Sequence, residues 1–181
     1  MIKEKEYKGM ISEKTYNKLL SRDWDEERLQ INFYYTNDIL INRTDITIRI
    51  RCIKDEMYLQ IKTNDSQSNE IRVSNEYEKR VSLIPNEICE KDLRGIWEDY
   101  KFHDVKLIGF LITDRKIIKR KEVEVDIDKN IYEGNIDYEI EFEYKDDDAV
   151  IDNIIVDMEL EDKIYQGKGK YERFKNAIKN K

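Results

Sequence analysis

The residues in this chain that could do chemistry are charged, and they come in alternating runs. Carboxylates recur at every second position in Glu4 and Glu6, in Glu122, Glu124, Asp126 and Asp128, and in Glu139, Glu141 and Glu143. Cations do the same in Arg49 and Arg51, and Lys8, Lys62 and Arg115 sit within other alternating runs. A two-residue spacing places side chains on one face of a β-strand. Like charges on one face repel, so such rows need a partner of opposite sign. Clustered carboxylates hold hard divalent cations through oxygen. Guanidinium forks match the oxygens of phosphate groups. An acidic wall facing a basic wall would therefore take a metal ion and a polyanion together.

Other chemistries have less to build on. His103 is the only histidine, and no neighbour in sequence completes a Ser-His-Asp triad or a histidine metal site. Cys52 and Cys89 form no CxxC pair, and two buried, reduced thiols are expected. The formal net charge is −7 with both signs abundant, which is not the balance of a nucleic-acid binder. Nor is this a disordered acidic tail, because 39% of residues are hydrophobic and 12 are tyrosine. The opening residues MIKEKEYKGM hold no apolar signal core. No run approaches the ~20 apolar residues of a membrane span. The expectation is a cytoplasmic protein with no membrane or nucleic-acid partner, and a homodimer is one assembly it allows.

The elements that must position these charges are mainly strands. Period-2 alternation predicts them near 2–8, 29–35, 46–53, 57–62, 70–81, 107–119, 122–128 and 136–144. Short connections favour antiparallel hairpins. Helices are predicted after a Ser12 cap to about residue 22, from Pro85 to about residue 100, and over 149–161 and 171–178. With one proline, six glycines and no linker, residues 1–181 read as a single domain.

The strand faces opposite the charges carry Ile48, Ile50, Leu59, Ile61, Val123, Val125, Ile127, Ile140 and Phe142. In an ordinary amphipathic strand these would form the core and the charges would face water. The inverted arrangement closes the strands into a barrel, lines its lumen with charge and turns the apolar faces outwards beneath the helices. Two features favour inversion. Almost every strand has a charged face, and the signs segregate: carboxylates on the first, seventh and eighth strands, cations on the third, fourth and sixth.

The order of the runs carries a resemblance. Glu4-Lys5-Glu6-Tyr7-Lys8 fits an ExExK signature. INFYYTND (31–38), ITIRIR (46–51), LQIK (59–62), NEYEKRV (75–81) and LITDR (111–115) follow. VDID (125–128), Tyr132, Gly134, DYEIEFE (137–143) and KGKYERF (168–174) complete the series. Over nearly its whole length the chain resembles the CYTH, or triphosphate tunnel metalloenzyme, family. The resemblance implies a mainly β (α+β) fold, a closed eight-stranded antiparallel β-barrel with flanking helices. It also implies metal-dependent hydrolysis of a small triphosphate, with Mg²⁺ or Mn²⁺ as cofactor. Inorganic tripolyphosphate comes first as substrate, then nucleoside or thiamine triphosphate.

Residue by residue, the resemblance implies that Glu4 and Glu6 bind the metal bridging the triphosphate. Asp126, Glu139 and Glu141 would complete the metal set. Lys8, Arg49, Arg51, Lys62 and Arg115 would grip phosphate oxygens, and Glu4, Glu6, Lys8 and Arg115 would form the catalytic group. Glu76 and Glu78 are weaker candidates, for metal or for orienting the arginines. The registration of Glu70 and Arg72 against Glu76 and Glu78 stays open, and Lys119 and Arg120 compete for a basic position near the sixth strand. Lys168, Lys170 and Arg173 either reach the tunnel mouth or solvate a C-terminal helix, and solvation is the preferred reading. The alternatives are an adenylate cyclase making cyclic AMP from ATP, a non-catalytic polyphosphate- or nucleotide-binding protein, and a β-rich domain with no ligand.

Overall fold

The computed structural model describes residues 2–67, 71–120, 122–144 and 149–179, with side chains at all of these except 2–4, 65–67, 71, 72 and 149. In chain order the elements are β1 (Ile2–Met10), α1 (Glu13–Leu19), β2 (Glu26–Thr36), β3 (Ile46–Ile53), β4 (Glu56–Gln67), β5 (Ile71–Val81) and β6 (Glu87–Ile88). Then come α2 (Glu90–Arg94), β7 (Val105–Lys119), β8 (Val123–Tyr132), β9 (Asn135–Tyr144), α3 (Ala149–Asp157) and α4 (Lys170–Lys179).

Eight long strands pair antiparallel in the order β2-β3-β4-β5-β1-β9-β8-β7, and β7 returns to β2 to close the barrel. The closing seam runs the length of β2, from Glu26 opposite Ile117 to Thr36 opposite Lys106. Closure leaves no long unpaired edge among these strands. The two-residue β6 adds to the start of β7.

The apolar faces point outwards and the helices cover them. Val125, Ile127, Ile140 and Phe142 pack with Tyr16 and Leu19 of α1 and Ile151 of α3. Ile48, Ile50, Leu59 and Ile61 pack with Leu93 of α2 and with Leu40. The arrangement is thus the inverted one, with the core outside the barrel wall. The α1 helix starts where Ser12 Oγ accepts from the Thr15 amide at 3.1 Å. Glu13 in its first turn and Lys18 in its last complement the helix dipole.

A third cluster blocks one end of the lumen. Tyr34, Leu111 and Tyr132 share the alternation phase of Asn32, Thr113 and Asn130, which face inwards, and all three pack against Tyr171 and Phe174 of α4. Gly109 makes room at this point. It sits at a bulge of the β2–β7 seam with φ +140°, and a Cβ there would lie 2.9 Å from Phe174 Cζ.

Three expectations need correction. The helix from Pro85 does not form. Its backbone is drawn into tertiary bonds instead: Tyr35 Oη donates to the Pro85 carbonyl at 2.8 Å, Leu107 N donates to the Asn86 carbonyl at 2.9 Å, and residues 87–88 join β7. Only Glu90–Arg94 is helical. The cysteines are free but not buried: Cys52 is partly exposed and Cys89 exposed. Finally, the C-terminal basic helix is docked, not solvated. Lys170 and Arg173 are largely buried, and of these three cations Lys168 alone stays at the surface, paired with Glu172 at 3.0 Å.

Phe174 is fully buried. Phe174→Ala should therefore cost about 3–5 kcal/mol of unfolding free energy in denaturant titration. A cost near zero would show that α4 is not part of the cooperative fold.

Candidate functional site

Closure gathers the alternating charges around one cavity of about 150 Å³. Its lining includes Glu6, Lys8, Arg49, Arg51, Lys62, Arg115 and Glu141 from the expected set. Glu76, Glu143 and Lys170 also line it. Strand register explains the convergence. Lys8 stands opposite Glu141, Glu6 opposite Glu143, Lys62 opposite Glu76, and Asp126 opposite Glu141. Glu4 belongs to β1, but its side chain lies outside the described residues, as do Glu70 and the side chain of Arg72. Glu76 is buried in the cavity wall, whereas Glu78 is exposed and accepts from Gln60 Nε2 at 3.1 Å. Lys119 and Arg120 are both exposed and stay out of the lumen; Lys119 pairs with Glu26 at 3.1 Å.

Arg115 organises the acidic wall. Its Nε and Nη2 donate to the two carboxylate oxygens of Asp128, each at 2.7 Å, and Nη2 also donates to Glu141 at 2.6 Å. Its Nη1 pairs with Asp126. Burial alone would loosen the Arg115 proton, but Asp128, Asp126 and Glu141 hold it more tightly than usual. The second cation at this wall is Lys170, for which the sequence reading preferred a solvated face over the tunnel mouth. Lys170 Nζ lies 2.9 Å from Asp128, 2.7 Å from Glu139 and 2.8 Å from Glu141. Arg173 then ties Asp137 at 2.8 Å and Glu139 at 2.6 Å, sealing the α4 end. The signal was present in the helix period: Lys170, Arg173 and Phe174 fall at i, i+3 and i+4, so the apolar ring marks the face that carries both cations inwards.

The carboxylates outnumber what these cations satisfy. Burial pushes the Asp126 carboxyl well above its ordinary range despite Arg115, and its Oδ1 has no hydrogen-bond partner among the described residues. Burial likewise raises Glu139, against Lys170 and Arg173. Oxygens of Glu6, Glu141 and Glu143 lie within 4.8 Å of one another, as do those of Glu124, Asp126 and Glu143. A third group, Asp128, Glu139 and Glu141, already surrounds the Lys170 ammonium. An all-oxygen donor set with an unsatisfied buried oxygen fits a hard ion such as Mg²⁺ or Mn²⁺.

The basic wall has the opposite surplus. Arg49 donates to Gln60 Oε1 at 2.8 Å and reaches Glu76 at 3.5 Å. Arg51 donates to Asn32 Oδ1 at 3.0 Å and forms no salt bridge among the described residues. Burial, then the neighbouring Arg49, lowers the Arg51 pKa to about 10. Lys8 sits 2.7 Å from Glu6 and 3.4 Å from Glu141, and Lys62 lies 3.9 Å from Glu6.

Burial would raise Glu6, but Lys8 and Lys62 outweigh it and hold the carboxyl at about 2. A depressed carboxyl stabilises the fold fully above its unfolded pKa. That contribution is lost as pH falls from 4.5 towards about 2. The loss is on the order of 3 kcal/mol. A raised carboxyl such as Asp126 acts in the window above its ordinary 3.8, where its contribution shrinks as pH rises through the folded pKa. In metal-free buffer, thermal unfolding should therefore show a steep acid limb below pH 4.5 that Glu6→Gln makes shallower. An unchanged acid limb would remove Glu6 as its source.

Known proteins can now be set beside this geometry. A search of curated protein sequences finds no match. Among solved structures, a candidate adenylate cyclase of Bacillus halodurans is 22% identical, with a TM-score of 0.72 over 96% of this chain and 99% of that one. A candidate adenylyl cyclase of Hippeastrum, described as having a dominant triphosphatase activity, is 18% identical, with a TM-score of 0.73 over 96% and 95%. A conserved hypothetical protein of Pyrococcus furiosus is 17% identical, with a TM-score of 0.59 over 90% and 94%. At these identities the likeness establishes the shared fold. The family model for the CYTH domain matches residues 3–173. With almost the entire barrel and the start of α4 inside that match, this chain belongs to the CYTH family.

Proposed function

We propose that the lumen hydrolyses a small triphosphate with a divalent metal ion, inorganic tripolyphosphate first. The observation that carries this reading is Arg51, a half-buried guanidinium that forms no salt bridge among the described residues and lines the same cavity as Glu6, Glu141 and Glu143. A buried surplus cation facing surplus carboxylates is costly in either wall alone. A polyanion and a metal ion together relieve both.

Arg51, Arg49, Lys62 and Lys8 would hold phosphate oxygens from the basic side. Glu6, Glu141 and Glu143 would hold the ion, joined by Glu4 on the family resemblance, with Asp126 and Glu124 able to take a second. Glu6 stays ionised at neutral pH, so it serves as a ligand and not as a proton donor. Arg115 spends its hydrogen bonds on Asp126, Asp128 and Glu141, and so would fix the acidic wall as well as complete the charge around a phosphate. The bound ion would neutralise the phosphates and lower the pKa of an attacking water. Phosphoryl transfer asks mainly for such positioning and neutralisation, with no covalent nucleophile.

Hydrolysis is favoured over cyclisation because the cavity offers a nucleobase little. Tyr34 and Tyr171 are the rings in its described lining, and they pack on each other, with centroids 5.0 Å apart. The triphosphatase activity described for the Hippeastrum neighbour points the same way.

The test is phosphate release from tripolyphosphate, ATP and thiamine triphosphate with and without Mg²⁺ or Mn²⁺. Metal-dependent release, largest from tripolyphosphate, is expected; no turnover of any of them contradicts a hydrolase, and cyclic AMP from ATP identifies a cyclase. Arg51→Met separates binding from folding. The ligand-free variant should stay within about 1–2 kcal/mol of the parent, because loss of a desolvated charge offsets the donor that Asn32 Oδ1 loses. Its tripolyphosphate affinity should fall by about 2–5 kcal/mol. The thermal shift that saturating ligand gives the parent should shrink accordingly.

A further inference from the structure

Among the described residues, helices cover two sectors of the outer wall and leave a third open. Cys52, Ile31, Ile112, Ile131 and Ile136 stand opposite one another in turn across β3, β2, β7, β8 and β9. All five occupy outward positions, out of phase with the lumen charges. Leu29 flanks this row on one side, and Phe33 opposite Phe110 flanks it on the other. Leu29 is 59% exposed, Ile136 55%, Phe110 50% and Ile131 39%. Scattered exposed apolar residues are ordinary, but these adjoin on one rigid sheet. They leave on the order of 400–500 Å² of apolar surface open. A standard interface takes ~800 Å² from each partner, and homodimer interfaces are ~65% apolar, which is roughly 520 Å². The row supplies the apolar core of an interface of that size.

Charge beside the row selects the occupant. Asp114 and Lys129 are register neighbours in the adjoining outward row of β7 and β8. Lys129 forms no ion pair among the described residues, and Asp114 pairs with Lys116 at 3.0 Å. Consider a two-fold axis parallel to the strands and passing between β7 and β8. It sets Asp114 of one copy against Lys129 of the partner subunit, and the reverse. The same operation sets Ile112 against Ile131 and Ile31 against Ile136. Apolar meets apolar and opposite charges meet, without any second surface being needed.

We propose that this face is the isologous interface of a homodimer, with its axis between β7 and β8. It lies on the outside of the wall, away from the cavity, so it stands or falls separately from the triphosphatase reading. Sedimentation velocity on the full chain tests it. A dimer is expected for the parent. Ile131→Asp should give a monomer that still unfolds cooperatively and still hydrolyses tripolyphosphate if the parent does. Asp114→Lys should weaken association about tenfold or more. Adding Lys129→Asp to it should restore the dimer. A parent chain that stays monomeric at about 100 µM overturns the proposal. So does a dimer that survives Ile131→Asp, and a charge reversal without effect overturns the placement of the axis.

Discussion

The fold depends on compensating charge that the closed barrel has buried. Eight strands joined edge to edge leave no exposed ladder, but closure turns every charged face inwards, out of bulk water. Ionised groups in such a place survive only when paired and hydrogen-bonded. Arg115 is the centre of that pairing, joined to Asp126, Asp128 and Glu141. Lys170 supplies the second cation to the same carboxylates. Compensation stops short of completion on both sides. Among the described residues Asp126 Oδ1 is left without a partner, and Arg51 has an amide oxygen where a carboxylate would serve it better. Arg51 lines the same cavity as the carboxylates of Glu6, Glu141 and Glu143. That imbalance is what the proposed metal ion and polyanion would relieve.

The C-terminal helix belongs to this electrostatic system as well as to the packing. Tyr171 and Phe174 fill the end of the lumen against Tyr34, Leu111 and Tyr132, while Lys170 and Arg173 enter the acidic wall from the same helix. Neither contribution would be stable alone. Two buried cations need the carboxylates, and the carboxylates at Asp137, Glu139 and Glu141 need the cations. Glu139 in particular is committed to Lys170 and Arg173 and stands outside the cavity lining, which sets it apart from Glu6 among the expected metal ligands.

Much of this was legible in the sequence, for a physical reason. A period of two fixes which residues share a face, so the runs around Glu6, Arg49, Asp126 and Glu141 fixed the strand faces directly. Segregation of sign by strand separated a charged lumen from merely solvated faces. Other features depended on partners distant in sequence. Pro85 looks like the first turn of a helix, but the Tyr35 hydroxyl and the start of β7 claim the backbone there. Lys170 and Arg173 look like solvated charges until Phe174 is seen to dock beside them. The pairing of Arg115 with Asp128 follows from the β7–β8 register, which alternation alone does not specify. Cys52 and Cys89 were misplaced because residue type sets only an average burial.

Anomalous diffraction from crystals grown with Mn²⁺ and tripolyphosphate addresses the two-walled lumen most directly. The expected result is a manganese peak among the Glu6, Glu141 and Glu143 carboxylates, with phosphate oxygens within hydrogen-bonding distance of Arg51 and Arg49. Manganese bound away from those carboxylates, or tripolyphosphate bound outside the cavity, would contradict it.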